Sequence, residues 1–299
     1  MSAVRPLSAT GTSPAADSIS RQPAAEPAAD RPAAGTGSGG FAARRPSGRP
    51  AARSARPARG RRNRWLPPQH GAWAMLLLPY VAAVGVTGPH WLHLPVLGVG
   101  LAGYLFSYYA LLAVKTGRPD RVRPQLLVYG GATALLGVPV LLARPAVLGY
   151  VPLYAVLLAV NVGHARLRRE RALLNDLASV AQSLLMVFVV ATVAEVPPAD
   201  LVGVTAAVGA YLVGTVLYVK TMIRERGSAR YRWASLAYHL VALAVAVVAG
   251  WGPAVAAVFA LLLLRAGVLP GRRLSPVRVG LIEMVGTLLV LAAVVARWA

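Results

Sequence analysis

The sequence predicts an all-α fold, a polytopic bundle of about nine helices that cross a membrane. Three observations predict it. The 299 residues are 57% hydrophobic, with a mean hydropathy of +0.57 and only 14% charged residues. A soluble chain of this length needs a far more polar exterior. Charge is also segregated, because nearly everything after Leu66 is apolar and broken only by short basic clusters. Finally, those clusters alternate in richness along the chain, as the loops of a threaded membrane protein do.

The element before the bundle is a tail. Residues 1–64 contain twelve arginines, the acids Asp17, Glu26 and Asp30, and otherwise mostly Ala, Pro, Gly and Ser. Such a composition buries too little apolar surface to offset its ordering entropy, so disorder is expected over 1–64 and a transmembrane domain over 65–299. The arginines suit solvent or anionic headgroups. Almost no aromatic residues interleave with them, so no nucleic-acid partner is expected. No apolar stretch resembling a signal peptide opens the chain, which leaves targeting to the first span. Cysteine is absent, excluding thiolate catalysis, Fe–S clusters and zinc–sulfur sites.

A crossing of about 30 Å needs about 20 residues. The apolar runs place spans at 72–88, 92–114, 125–142, 146–163, 173–194, 200–219, 233–250, 252–269 and 277–297. Gly250-Trp251-Gly252-Pro253 breaks a run too long for one crossing. The loops test the count. Residues 115–123, 164–172, 220–232 and 265–278 carry 17 Lys or Arg, whereas the opposite side has only Arg144 and Arg297. Translocating arginine is costly, so the rich side is read as cytoplasmic, with the N-terminus inside and the C-terminus outside.

Both of the chain's lysines end spans in a shared Leu-x-Val-Lys-Thr pattern, at Lys115 and at Lys220, four spans apart. That spacing suggests a parallel 4+4+1 repeat. Arginine is used everywhere else, which points to a need for a compact ammonium at these two positions; ordinary interfacial snorkelling is the equal alternative.

Polar groups within spans are expensive and face a cavity or a partner helix. Asn175, Ser179, Gln182 and Ser183 form a stripe at i, i+4, i+7 and i+8, beside Asp176. Glu283 stands in an apolar span with Gly280 and Thr287 on its face, and Ser235 and His239 share another helix. The second span adds Tyr104, Ser107 and Tyr108, and the sixth adds Tyr211, Thr215 and Tyr218. The candidates sit toward the basic side, with little comparable expected in the outer half. As candidate catalytic groups, acids or bases, we take His70, Asp176 and Glu283. As candidate binding residues we take Gln69, His70, Lys115, Arg118, Asn175, Asp176, Ser179, Gln182, Lys220, Arg224 and His239. Pairing of Asp176 and Glu283 with nearby arginines, locking helices together, is the structural alternative. No His-x-x-His or Glu-x-x-His spacing occurs, so no metal site is expected.

Pro68-Gln69-His70-Gly71-Ala72-Trp73-Ala74-Met75 and Glu170-Arg171-Ala172-Leu173-Leu174-Asn175-Asp176-Leu177-Ala178 resemble the YwiC-like family of bacterial membrane proteins. The resemblance covers residues 66–299 and implies a bacterial cell-membrane setting without a reaction. A looser similarity is to UbiA-type prenyltransferases, nine-span enzymes with cytoplasmic-side sites between spans 2–3 and 6–7. Those enzymes hold Mg²⁺ and a prenyl diphosphate on aspartate-rich motifs. Here spans 2 and 6 contain no Asp, and Asn175-Asp176-x-x-Ser179-x-x-x-Ser183 carries serines instead. Only the architecture is expected to carry over, with no cofactor implied.

Three functions follow from these residues. The first is an enzyme or binding protein for an anionic lipid or lipid diphosphate, held by Lys115, Lys220 and neighbouring arginines at a cytoplasmic-side polar cavity. The second is a transporter or proton-coupled carrier using Glu283 and His239. The third is a non-catalytic membrane scaffold, with the tail as its contact region.

Overall fold

The computed structural model describes residues 65–67 and 70–299, with the backbone alone at 70–72. The tail at 1–64 lies outside the described residues. Among those described, every regular element is helical. Nine α-helices follow in order: α1 (His70–Thr87), α2 (His93–Thr116), α3 (Arg123–Ala143), α4 (Val151–Arg166), α5 (Leu173–Val193), α6 (Val202–Val219), α7 (Ala229–Val248), α8 (Pro253–Val268) and α9 (Pro276–Trp298). Seven helical segments are long and apolar enough to cross a membrane. The other two, in α1 and α8, are apolar but shorter.

Local chemistry sets the ends. Gly117 takes a left-handed conformation (φ 64°) and its N–H bonds to Ala113 O, closing α2. Ser228 and Ser275 accept the N–H groups of Tyr231 and Arg278 and open α7 and α9. Pro253 and Pro276 stand in first turns, where no N–H is required. Gly250 (φ 64°) and Gly252 (φ 93°) make the tight link between α7 and α8. The fourth span is an α-helix lengthened by a 3-10 turn, Pro145–Tyr150. α6 likewise runs on through a π-helical turn, Lys220–Arg224.

Bonds near the helix ends join like ends. Arg144 meets Glu195 and Tyr150 meets Thr192 at one end, while Lys220 meets Asp176 and Arg226 meets Leu274 at the other. Successive helices therefore alternate in direction. The basic loops gather at one end, called here the basic end.

Helices α1, α5 and α6 form the centre. α2, α3 and α4 flank it on one side, and α7, α8 and α9 on the other. Half of α5 and of α6 is buried, whereas α3 and α4 bury little of themselves within the chain, as expected of lipid-facing helices. Val187, Val190, Val204, Ala207, Val208, Val255 and Val290 fill the middle of the bundle.

Candidate functional site

The two motif lysines reach the same stretch of chain, the link from α4 into α5. Lys115 Nζ lies 2.5 Å from Glu170 Oε1. Lys220 Nζ lies 2.7 Å from Asp176 Oδ2 and donates to the Arg171 carbonyl at 2.7 Å. Asn175 Nδ2 donates to the Glu170 carbonyl at 2.9 Å, tying the link to the first turn of α5. Glu170 and Asp176 are thus both paired with lysines, and for Asp176 the structural alternative had named a nearby arginine instead. Lys115 holds the Glu170 carboxyl below the usual carboxylate range, chiefly through this hydrogen bond, against a smaller opposing effect of burial.

The two sequence copies differ in setting. Lys115 is 43% exposed beside the left-handed Gly117, whereas Lys220 is 5% exposed in the π-helical turn. That turn adds a residue to the helical ring and aims Lys220 inward, with Thr221 Oγ1 donating to Tyr218 O at 2.6 Å.

The polar stripe of α5 faces α4. Asn161 Nδ2 donates to Gln182 Oε1 at 2.9 Å and to Ser179 Oγ at 3.4 Å. Ser179 also donates to Asn175 O, and Ser183 to Val180 O. Asn161 was not singled out in the sequence. Arg118 and Arg224 are exposed at the basic end. Gln69 lies outside the described residues, as does the side chain of His70, whose backbone begins α1.

The other candidates meet between α6, α7, α8 and α9. The organiser is Arg265, read from sequence as a loop residue. It stands instead in α8, three residues from the helix end, and is 8% exposed. Its Nη1 donates to Glu283 Oε1, so Glu283 is paired, as the structural alternative expected. Thr215 Oγ1 donates to Glu283 Oε2 at 2.9 Å. Tyr211 Oη lies 2.9 Å from Thr287 Oγ1 and donates to the Glu283 carbonyl at 3.1 Å. The Arg265 guanidinium also lies over the Tyr218 ring, 4.1 Å from its centroid. Glu283 is seven residues into α9, about 10 Å along the helix from the basic end.

His239 faces this group from α7 and is 3% exposed. Its Nδ1 lies 2.7 Å from Ser235 O. Gly214 makes room for the ring: a Cβ there would come within 3.1 Å of His239 Nε2. Five buried polar atoms of this cluster have no hydrogen-bond partner among the described residues: Arg265 Nε, Arg265 Nη2, Tyr218 Oη, Ser235 Oγ and His239 Nε2. Buried polar groups are ordinarily satisfied, so these unpartnered atoms set the cluster apart from the rest of the bundle.

The candidates therefore form two packed groups flanking the end of α6, not one cavity. The opposite end holds more than the sequence suggested. Arg144 pairs with Glu195 at 2.9 Å, and His93, buried at the start of α2, accepts the His90 N–H on Nδ1 at 3.2 Å. Among the described residues, no group of three or more His, Cys, Asp or Glu is arranged to hold a metal ion.

Comparison with known proteins gives four findings. The family model described as "YwiC-like protein" matches residues 66–191. An uncharacterized protein of Haemophilus influenzae is 31% identical over 221 residues, covering 72% of this chain and 90% of the relative. The "Uncharacterized protein YwiC" of Bacillus subtilis is 30% identical over 233 residues, covering 76% and 95% respectively. No solved structure matches the chain.

Proposed function

The chain belongs to the YwiC-like family, and from that premise we propose that it is a multi-pass protein of the bacterial cell membrane that binds the anionic group of a lipid-like ligand. The binding place is the basic end of the bundle, on the cytoplasmic side, between α6 and α9. One observation carries this reading. Arg265 is buried within a membrane-spanning bundle and spends only part of its guanidinium on Glu283. Removing an arginine from water is expensive, and the cost is offset only when its donors are used. An anion entering from the basic loops would use the rest.

The lysines serve this reading differently from the expectation based on sequence alone. Lys115 and Lys220 already hold carboxylates, so they fasten the link before α5 and leave ligand binding to Arg265. A carrier would need polar groups continuing through the bundle. Beyond Thr287 the centre is instead filled by Val204, Val208, Val255 and Val290, which favours a ligand that enters and leaves at one end.

Native mass spectrometry of gently purified protein tests the proposal. Wild-type protein should retain an anionic lipid or small anion. The double variant Arg265→Gln with Glu283→Gln removes both charges together and should lose it. Equal ligand content in the wild type and in a double variant of equal stability would defeat the proposal.

A further inference from the structure

The link between α4 and α5, residues 167–172, carries more charge than the bundle uses. We propose that it is a docking surface for the anionic headgroups of bilayer phospholipids. It exchanges lipid with the membrane and is separate from the site at Arg265.

The turn itself is the first observation. At the end of α4 the Arg168 N–H bonds to Ala165 O at 3.1 Å and the Arg169 N–H to His164 O at 2.8 Å. This closure puts Arg168 in the left-handed region, at φ 55°. Glycine takes that conformation without strain, and the chain uses Gly117 for it at the end of α2. Among the described residues one other non-glycine has a positive φ, Glu195 (φ 61°), where α5 closes in the same way. Glu195 has an internal reason to be charged, because it pairs with Arg144. Arg168 is exposed and has no ion-pair partner among the described residues.

The second observation is how the nearby acids are used. Arg166, Arg168, Arg169 and Arg171 lie within six residues and are all exposed. Glu170 and Asp176 stand close by in sequence, yet each is met by a lysine from another helix, Lys115 and Lys220. The lysines neutralise both carboxylates, and none of the four arginines has an ion pair among the described residues. Lys220 also holds the Arg171 carbonyl, and Asn175 the Glu170 carbonyl. The arginines therefore project from a fastened backbone. Guanidinium groups without a carboxylate suit phosphate, which accepts paired N–H bonds.

The third observation is the place. α4 belongs to a segment, Pro145–Arg166, that is long and apolar enough to cross a membrane and buries little of itself within the chain. The arginines thus begin where a lipid-facing helix ends. Leu167, set among them, is 67% exposed. An apolar side chain flanked by arginines matches a phospholipid, with acyl chains on one side and phosphate on the other. It matches a free anion less well.

Native mass spectrometry of the full chain in neutral detergent, titrated separately with phosphatidylglycerol and phosphatidylcholine, is the test. Wild-type protein should bind its first phosphatidylglycerol at least about tenfold more tightly than phosphatidylcholine. Arg168→Gly with Arg169→Gln should remove most of that preference, at about fivefold per arginine. Arg272→Gln with Arg273→Gln removes as much charge from another exposed basic loop and should leave the preference nearly unchanged. Thermal melting supplies a second readout. Arg168→Gly alone should keep or raise the midpoint, because glycine relieves the left-handed turn. Equal losses in the two double variants would mean a diffuse cationic rim and overturn the site. A preference that survives without Arg168 and Arg169 would overturn it too, while leaving the Arg265 site standing. A lowered midpoint in Arg168→Gly would assign this arginine to the fold and also end the proposal.

Discussion

Two cations are deeply buried near the basic end, and they are treated differently. Lys220, 5% exposed, meets both the Asp176 carboxylate and the Arg171 carbonyl. Arg265, 8% exposed, meets one oxygen of Glu283 and keeps two nitrogens unused among other unused groups. The first arrangement is complete and joins α6 to the start of α5. The second is incomplete and lies where four helices meet. A satisfied buried pair holds helices in place, whereas a half-satisfied one is costly unless something else completes it. Charge and burial alone would not separate these regions; the count of unmet donors does.

The largest expected effect comes from breaking the incomplete pair. Glu283→Leu leaves the Arg265 charge buried without its counter-ion, and a stability loss of about 3–5 kcal/mol is expected. Adding Arg265→Leu should restore most of that loss, since two apolar residues of similar volume avoid the desolvation cost. Equilibrium unfolding in mixed micelles measures both. A double variant as unstable as the single one would mean that Arg265 has other obligatory partners, and the contrast with Lys220 would fade.

Lys220→Met tests the complete pair. It strips Asp176 of its cation and Arg171 of a donor, and the expected cost is smaller, about 1–3 kcal/mol, because Asp176 keeps 23% exposure to solvent. Ligand retention, measured by the same mass spectrometry, should be unchanged in whatever fraction remains folded. Loss of ligand without loss of stability would move the binding site to the lysines and erase the distinction between the regions.

Most of the bundle was legible in the sequence. The expected span at 173–194 is α5 (Leu173–Val193), and that at 252–269 is α8 (Pro253–Val268). Hydropathy and helix breakers act locally, so local reading finds them. One boundary difference is α7, which starts at Ala229, not at 233. Arg230 and Arg232 ride on its exposed first turn, where long side chains reach water. Arg265 was missed for a related reason. An arginine beside a basic loop reads as part of that loop, although its partner lies on another helix. A signal was present: Val255, Phe259, Leu262 and Arg265 follow helical spacing, and all four are buried. Asn161 hid similarly, because the α5 stripe announced that a partner existed without saying which helix supplied it. The closeness of Lys115 and Lys220 to one link depends on tertiary packing, which the repeated motif does not encode.

The smallest expected effect lies at the exposed copy of that motif. Lys115→Met breaks a pair whose side chains are 43% and 34% exposed, so solvent screens most of its strength and a loss of under about 1 kcal/mol is expected. Its pH dependence distinguishes it from a packing effect. Lys115 lowers the folded-state pKa of Glu170. The pair's contribution is therefore present above the ordinary glutamate range and is lost as pH falls through the lowered value. The stability gap between wild type and Lys115→Met should shrink toward zero on acidification and also narrow with added salt. A gap that kept its size in acid and in high salt would mean that the Lys115 stem, rather than its charge, fastens the link. The two copies of the motif would then differ in kind and not merely in burial.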